Sequence, residues 1–282
     1  MNRLTDIATD DQTSTRTDHI LVVKLGGGEG LDLAAACADL AEIALTRPLV
    51  IVHGVSGMMA RMSAERGLPI ETLTSPSGHS SRYTPPATRD LFVEAAQAVN
   101  RQIVSELRQH GVYAVGLTET VPVQGTRKAA IRAVVNGRIR VVRDDYSGSI
   151  DSVQASSIWE ALTVGRVAVV PPLADSADGL LNIDGDRAAA AVAAELGASD
   201  LVILSNVPGL MRDHTDASTV IADVQGNQIE RVMDYAQGRM KRKVLGAQEA
   251  LNGNVERVII GDGRTSNPVT NALNGAGTVF RA

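Results

Sequence analysis

The sequence predicts an α/β protein with an open, mainly parallel sheet in an α/β/α sandwich and an inserted β-hairpin. Three observations predict it. The runs ILVVKL (20–25), LVIVH (49–53), VAVVP (167–171), LVILS (201–205) and RVIIG (257–261) are continuously apolar, as in strands buried on both faces. Helical periodicity lies between them, as in DLAAACADLAEIAL (32–45) and the Ala-rich DRAAAAVAAELG (186–197). In the middle, AIRAVVNGRIRVV (130–142) carries Asn-Gly between two apolar-rich halves, the strongest short-range hairpin signal.

The remaining elements follow in order. Residues 1–18 are rich in Thr and Asp and lack an apolar core, so they are expected to form a disordered tail rather than a signal peptide. RDLFVEAAQAVNRQIVSELRQH (89–110) is periodic and stops at Gly111, with a strand expected in VYAVGL (112–117). DYAQGRMKRKVLGAQEALNGN (234–254) is expected to be mostly helical. With 282 residues and 2 % aromatics, the core must be built from Val, Ile, Leu and Ala. A formal net charge of −5 gives no bulk attraction to nucleic acid or an anionic membrane. No apolar run is long enough to span a bilayer. Cys37 is the single cysteine, which excludes an internal disulfide and favours a reducing, cytoplasmic setting.

In open α/β sheets, ligands bind beyond the carboxyl ends of the strands, so the strand ends are where chemistry is sought. The first strand ends in Lys24-Leu25-Gly26-Gly27-Gly28, where glycine backbone can approach a phosphate closely beside a positive charge. The second ends in His53-Gly54-Val55-Ser56-Gly57, a further candidate anion loop in which His53 reads as a satisfied strand-end residue or a catalyst. Asn182, Asp184 and Asp186 precede a helix, where the carboxylates suit either Mg²⁺ or an N-cap and turn. Gly238-Arg239-Met240-Lys241-Arg242-Lys243 puts basic residues at a helix start, against its dipole, which fits an anion-holding task or a solvated turn.

In this order, VVKLGG, RPLVIVHG, an Arg-x-Thr loop at Arg82, LNIDGDRAAAA, LSNVPGL and GRMKRK resemble the amino acid kinase family over about residues 20–280, N-acetylglutamate kinase in particular. TSPSGHSSRYT (74–84) and AQGRMKRKVLGAQEAL look most similar to its [LysW]-aminoadipate kinase branch, which phosphorylates a side-chain carboxylate of an amino acid attached to a small carrier protein. The resemblance implies ATP and Mg²⁺ as cofactors, a homodimer, a substrate-binding lobe at 19–175 and a nucleotide-binding lobe at 176–282. It assigns Lys24, Lys243 and Asp186 to catalysis, and Gly26, Gly27, Gly54, Val55 and Ser56 to the phosphate loops. Val55, Ser56, Arg82 and Asn182 would bind the substrate. Ser205, Asn206, Pro208, Gly209, Leu210, Gly238, Arg239 and Met240 would line the nucleotide pocket. No residue is assigned as a metal ligand.

One departure bears on activity. The family's HGGG reads HGVSG here, and Val55 would be strained if the loop needed a positive φ. The segment 125–143 holds six basic residues and no acidic one. Arg127, Lys128, Arg138 and Arg140 are therefore expected to dock a small acidic carrier protein, with Arg138 and Arg140 on one strand face. The alternatives are an ordinary N-acetylglutamate kinase of arginine biosynthesis, whose hairpin is merely a solvated edge, and a non-catalytic amino-acid- or nucleotide-binding regulator.

Overall fold

The computed structural model describes residues 19–28, 30–76, 78, 80–135 and 137–282. The tail expected at 1–18 and Asn136 of the expected turn lie outside the described residues. The chain runs β1 (Leu21–Leu25), α1 (Leu33–Ala44), β2 (Leu49–His53), α2 (Ser56–Arg66), β3 (Thr72–Thr74), β4 (Ser80–Arg82), α3 (Pro86–Gln109) and β5 (Ala114–Gly116). It continues through β6 (Val123–Arg127), β7 (Ile131–Val135), β8 (Arg138–Val142), β9 (Gly148–Val153), α4 (Ser156–Thr163), β10 (Val167–Val170), β11 (Leu173–Ala174) and β12 (Leu181–Asn182). The last third holds α5 (Gly185–Glu195), β13 (Asp200–Ser205), β14 (Asp223–Gln225), α6 (Ile229–Val232), α7 (Arg239–Asn252), β15 (Arg257–Asp262), α8 (Pro268–Leu273) and β16 (Thr278–Arg281).

Eight strands form one sheet in the order β14-β16-β15-β13-β1-β2-β10-β5. The pairings from β15 to β5 are parallel, and β16 with β14 runs the other way. The open, mainly parallel sheet is thus as expected. β1 is central and bonds β2 on one side and β13 on the other, so the two halves of the chain share a continuous sheet.

Side chains alternate across the sheet. Val22, Val50, Val52, Leu201 and Ile203 face one apolar core with α4, α5 and α7. Leu21, Val23, Leu25, Leu49, Ile51, Val202 and Leu204 face the other with α1, α3 and α8. A smaller cluster of Val55, Met59, Leu91, Phe92 and Leu173 lies where α2 meets α3. The parity of β1 matters for function. Lys24 shares the face of Val22, which is the face covered by α5 and α7.

The structure corrects several boundaries. The second glycine loop is shorter than HGVSG implied, because α2 begins at Ser56. The long helix α3 starts at Pro86 rather than 89, since proline's fixed φ suits the first helical position. The span 234–254 is broken at Gly238, whose φ of 52° needs glycine, and the helix proper begins at Arg239. The β7–β8 hairpin closes Val135 against Arg138 as expected, but it is joined by the β3–β4 and β6–β9 antiparallel pairs. Among the described residues, no helix is long and apolar enough to cross a membrane.

One close contact under the site depends on a missing side chain. Asn100 of α3 donates to the Val169 carbonyl at 2.9 Å and to His53 Nε2 at 3.2 Å. A Cβ on Gly116 would collide with Asn100 Oδ1. Gly116→Ala should therefore expel Asn100 and cost about 1–3 kcal/mol, the usual range for overpacking. Urea unfolding monitored by circular dichroism measures it, and an unchanged midpoint would contradict this packing.

Candidate active site

β1, β2 and β13 end together on one edge of the sheet, and α5 and α7 start there. Asp184 caps α5 by accepting from the Asp186 and Arg187 N–H groups. This is the N-cap alternative, and it leaves Asp186 free to turn inward. Asp186 Oδ1 meets Lys24 Nζ at 2.8 Å, and Oδ2 meets Lys243 Nζ at 3.1 Å. All three residues are buried. Lys243 lies on the buried stripe of α7 with Val244, Ala247 and Ala250. Gly246 lets α7 approach α5, since a Cβ there would sit 3.2 Å from the Asp186 carbonyl oxygen. The basic residues at this helix start thus serve a purpose that the helix alone does not explain.

The electrostatics follow from burial. Burial alone would raise the Asp186 pKa, but the two lysines outweigh it and hold the carboxyl well below its usual range. Burial, reinforced by Lys24, lowers the Lys243 ammonium to about 8, with Asp186 opposing. One negative charge between two lysines leaves an uncompensated positive charge in a dry place, which is an anion site.

The two glycine loops cross beside it. Gly54 N–H donates to the Leu25 carbonyl at 2.9 Å, and Gly57 N–H donates to the Gly27 carbonyl at 2.5 Å. A Cβ on Gly27 would collide with the Gly54–Val55 peptide, and one on Gly54 would lie 2.5 Å from Gly27 N. These glycines are needed because the loops approach each other. Val55 has φ −134°, so the loop does not require the positive φ that the departure from HGGG would have made costly. The Val55 side chain is buried in the third apolar cluster, which leaves its backbone for any ligand. No side chain caps α2, and of its first N–H groups that of Gly57 is taken by the Gly27 carbonyl, which leaves Ser56 N–H at the helix start for an anion. His53 is sealed beneath, its Nδ1 3.3 Å from the Gly54 carbonyl oxygen, and burial lowers its pKa to about 4. It is a neutral, satisfied strand-end residue.

Three arginines, Arg82, Arg239 and Arg242, gather near one another. Arg82, at the end of β4, lies over the Phe92 ring at 5.4 Å, and its Nε is buried without a hydrogen-bond partner. Burial lowers its pKa, helped by Arg239 and Arg242. Arg242 bridges the two halves, bonding the Ser80 carbonyl and, at 3.3 Å, Asp184. Sequence reading passed over Arg242, although it lies inside the basic run that was singled out. Asn182 donates to Thr84 Oγ1 at 2.9 Å and so joins the Arg82 segment.

The other sequence-selected residues divide. Arg239 lies near Gly28, where a Cβ would be 3.4 Å from its Nη1. Ser205 ends β13, and Asn206 and Pro208 follow at the same sheet edge. Gly209 and Leu210 pack inward, with Leu210 N–H donating to Thr278 Oγ1 at 2.8 Å. Gly238 caps α7 and Met240 packs on the core. Arg127 is not a free docking group. It stacks on Tyr146 at 4.1 Å, donates to the Arg143 and Asp145 carbonyls, and reaches Asp178 at 3.4 Å. Lys128, Arg138 and Arg140 are exposed. Among the described residues, no group of three or more His, Cys, Asp or Glu side chains is placed to hold a metal ion.

Comparison with known proteins places these features. The profile described as the amino acid kinase family matches residues 19–262. The [LysW]-aminoadipate kinase of Deinococcus radiodurans is 42 % identical over 269 residues, covering 94 % of this chain and 92 % of the relative. That of Thermus thermophilus is 38 % identical, covering 93 % and 100 %. Among solved structures, N-acetylglutamate synthase from Neisseria gonorrhoeae superposes with a TM-score of 0.77 at 24 % identity, over 95 % of this chain and 61 % of that one. Carbamate kinase from Giardia lamblia gives 0.66 at 16 % identity, over 93 % and 98 %. These two likenesses show the fold.

The depressed Lys243 pKa sets a pH dependence. An anion bound beside Lys243 raises its pKa again, so binding takes up a proton once the free group begins to lose it near pH 8. Affinity for sulfate, whose charge is constant in this range, should weaken as pH rises through about 8. Lys243→Arg, which keeps its charge, should flatten the profile. Calorimetric titration at several pH values checks this, and equal affinity on both sides of pH 8 would refute it.

Proposed function

The chain belongs to the amino acid kinase family, and from that membership we propose that it transfers the γ-phosphoryl group of ATP to a side-chain carboxylate, giving an acyl phosphate in amino-acid biosynthesis. The acceptor is 2-aminoadipate or glutamate carried on a small acidic protein of the LysW type. The observation that carries the kinase reading is the buried Lys24–Asp186–Lys243 triad beside two crossed glycine loops. Support for the carrier comes from the relatives named for [LysW]-aminoadipate and from the exposed basic hairpin.

The residues suffice for the chemistry. A carboxylate, with a pKa of about 4, is already ionised and nucleophilic at neutral pH, so no general base is required. Its oxygen forms the new bond to the γ-phosphorus, the bond to the bridging oxygen breaks, and ADP leaves with the electron pair. Catalysis is then alignment and neutralisation of repelling anions. Lys24 and those loop N–H groups not already bonded between the loops face the transferring group. Lys243 and Arg239 face the leaving phosphates. Asp186 holds both ammonium groups in place. Mg²⁺ bound with the nucleotide would add neutralising charge.

Arg82 suits the substrate's recognition end, because a buried guanidinium with an unpaired Nε calls for a carboxylate. Ser205, Asn206 and Pro208 border the nucleotide. The lobes at 19–175 and 176–282 assign the substrate to the first and ATP to the second, with Asn182 crossing over to bond Thr84. A homodimer in the cytoplasm completes the reading. The intact triad weighs against a non-catalytic regulator.

Lys24→Ala should lower kcat by about 10²–10³-fold with little change in the KM for ATP, because the charge acts on the transition state. A variant that loses ATP affinity yet keeps kcat would sink the assignment.

The carrier is tested by reversing Arg138 and Arg140 to Glu. Steering by charge is screened over about 8 Å at physiological salt. The KM for carrier-bound substrate should rise at low salt, with the difference shrinking as salt increases, while kcat stays. Free N-acetylglutamate and free N-acetyl-aminoadipate are assayed on the same preparation. Efficient turnover of free N-acetylglutamate with no effect of the reversal would favour an ordinary acetylglutamate kinase.

A further inference from the structure

Among the described residues, two side-chain polar atoms are buried without a hydrogen-bond partner, Arg82 Nε and Ser147 Oγ. Arg82 is explained by an anionic substrate. Nothing in the sequence drew attention to Ser147, and the catalytic triad does not use it.

Ser147 lies on the same piece of architecture. Asp145, fully buried, accepts from Thr84 N–H at 2.9 Å through one oxygen and from Ser147 N–H at 2.7 Å through the other. One carboxylate therefore fixes Ser147 to the residue two positions after Arg82. Tyr146 N–H bonds the Thr84 carbonyl at 2.7 Å, and Asn182 N–H bonds the Tyr146 carbonyl at 3.0 Å. Ser147 and Asn182 form a parallel β-bridge. Bridge partners present their side chains on the same face of a ladder, so the Ser147 hydroxyl shares the face from which Asn182 reaches Thr84 Oγ1 at 2.9 Å.

The neighbouring hydroxyls behave differently. Ser149 Oγ donates to the Thr126 carbonyl at 3.3 Å, and Thr84 Oγ1 donates to the Arg82 carbonyl at 3.2 Å. Ser147 is only 8 % exposed, so its hydroxyl is withdrawn from bulk solvent. Burying a hydroxyl unpaired is unfavourable, and a native chain retains one where a ligand completes it.

We propose that Ser147 is a substrate-recognition residue. Its hydroxyl donates to a carboxylate oxygen at the recognition end of the amino-acid substrate, beside the guanidinium of Arg82. Asp145 is the positioning residue that holds both segments. This assignment rests on the carboxylate-kinase reading above.

Ser147→Ala tests it. At saturating ATP, the KM for the amino-acid substrate should rise about tenfold, as for a site deprived of a hydrogen bond it was built to make. The KM for ATP and kcat should stay within about twofold, since the hydroxyl would act on the recognition end of the substrate and not on the transferring phosphoryl. Ser147→Thr, which keeps the hydroxyl, should recover most of the loss. Thermal unfolding separates recognition from structure. Without substrate, Ser147→Ala should unfold at the same temperature as the parent or higher, because an unpaired buried hydroxyl has been removed. The rise in Tm that substrate produces should shrink. An unaltered KM, or a lowered Tm without substrate, overturns the role of Ser147 while leaving the kinase in place. A parent enzyme that turns over neither free nor carrier-bound carboxylates overturns the functional reading itself, and this one with it.

Discussion

A single buried carboxylate organises this molecule. Asp186 is shared by Lys24 from the central strand and Lys243 from α7, and three elements distant in sequence must meet within salt-bridge distance for it to be satisfied. Deep in a protein, an ion left alone is costly enough that its partners must be held in place. The packing obeys that demand. Lys24 points to the α5 face by strand parity, α5 is capped by Asp184, and Gly246 admits α7 to within contact of α5. Within the triad one positive charge stays unbalanced, and that surplus favours an anion beside it.

The rest of the site is arranged around that charge by close approach of backbone. The glycines of the first two loops are in mutual contact, so they fix one another's position. Below them, His53 and Asn100 are neutral and paired, which keeps a competing charge away from Lys24. Arg242 ties α7 to the β3–β4 hairpin and Asp184, linking the half that carries Lys243 to the half that carries Arg82. Lys243 and Arg82 thereby belong to one connected framework, the kind of fixed positioning on which the proposed phosphoryl transfer would rely.

Different parts of this arrangement were legible to different degrees. The buried strands were plain because parallel strands covered on both faces read as unbroken apolar runs. Motif order singled out Lys24, Lys243 and Asp186, which the fold brings into contact, and the mismatch between basic residues and a helix start pointed to Lys243. Helix α2 was hidden because its mean composition is polar and its start at Ser56 has no capping side chain. Arg127 looked like a surface charge, yet its guanidinium is consumed by Tyr146, two carbonyls and Asp178. Ser147 carried no signal, because an unpaired hydroxyl is a property of surroundings rather than of residue type.

By itself, the sequence determined the α/β class, the places where strands end in glycine, and the identities of the charged residues that meet there. Those depend on local patterns: apolar continuity, turn residues and the positions of chemically distinctive side chains. Only the tertiary structure decided that Gly27 and Gly54 exist for each other, that Val55 keeps a negative φ, that Asp184 caps while Asp186 pairs, and that Arg82 Nε and Ser147 Oγ are each left without a partner. Each of these is a relation between atoms far apart in the chain. Burial and distance, which fix its energy, are set when the whole sheet closes around it.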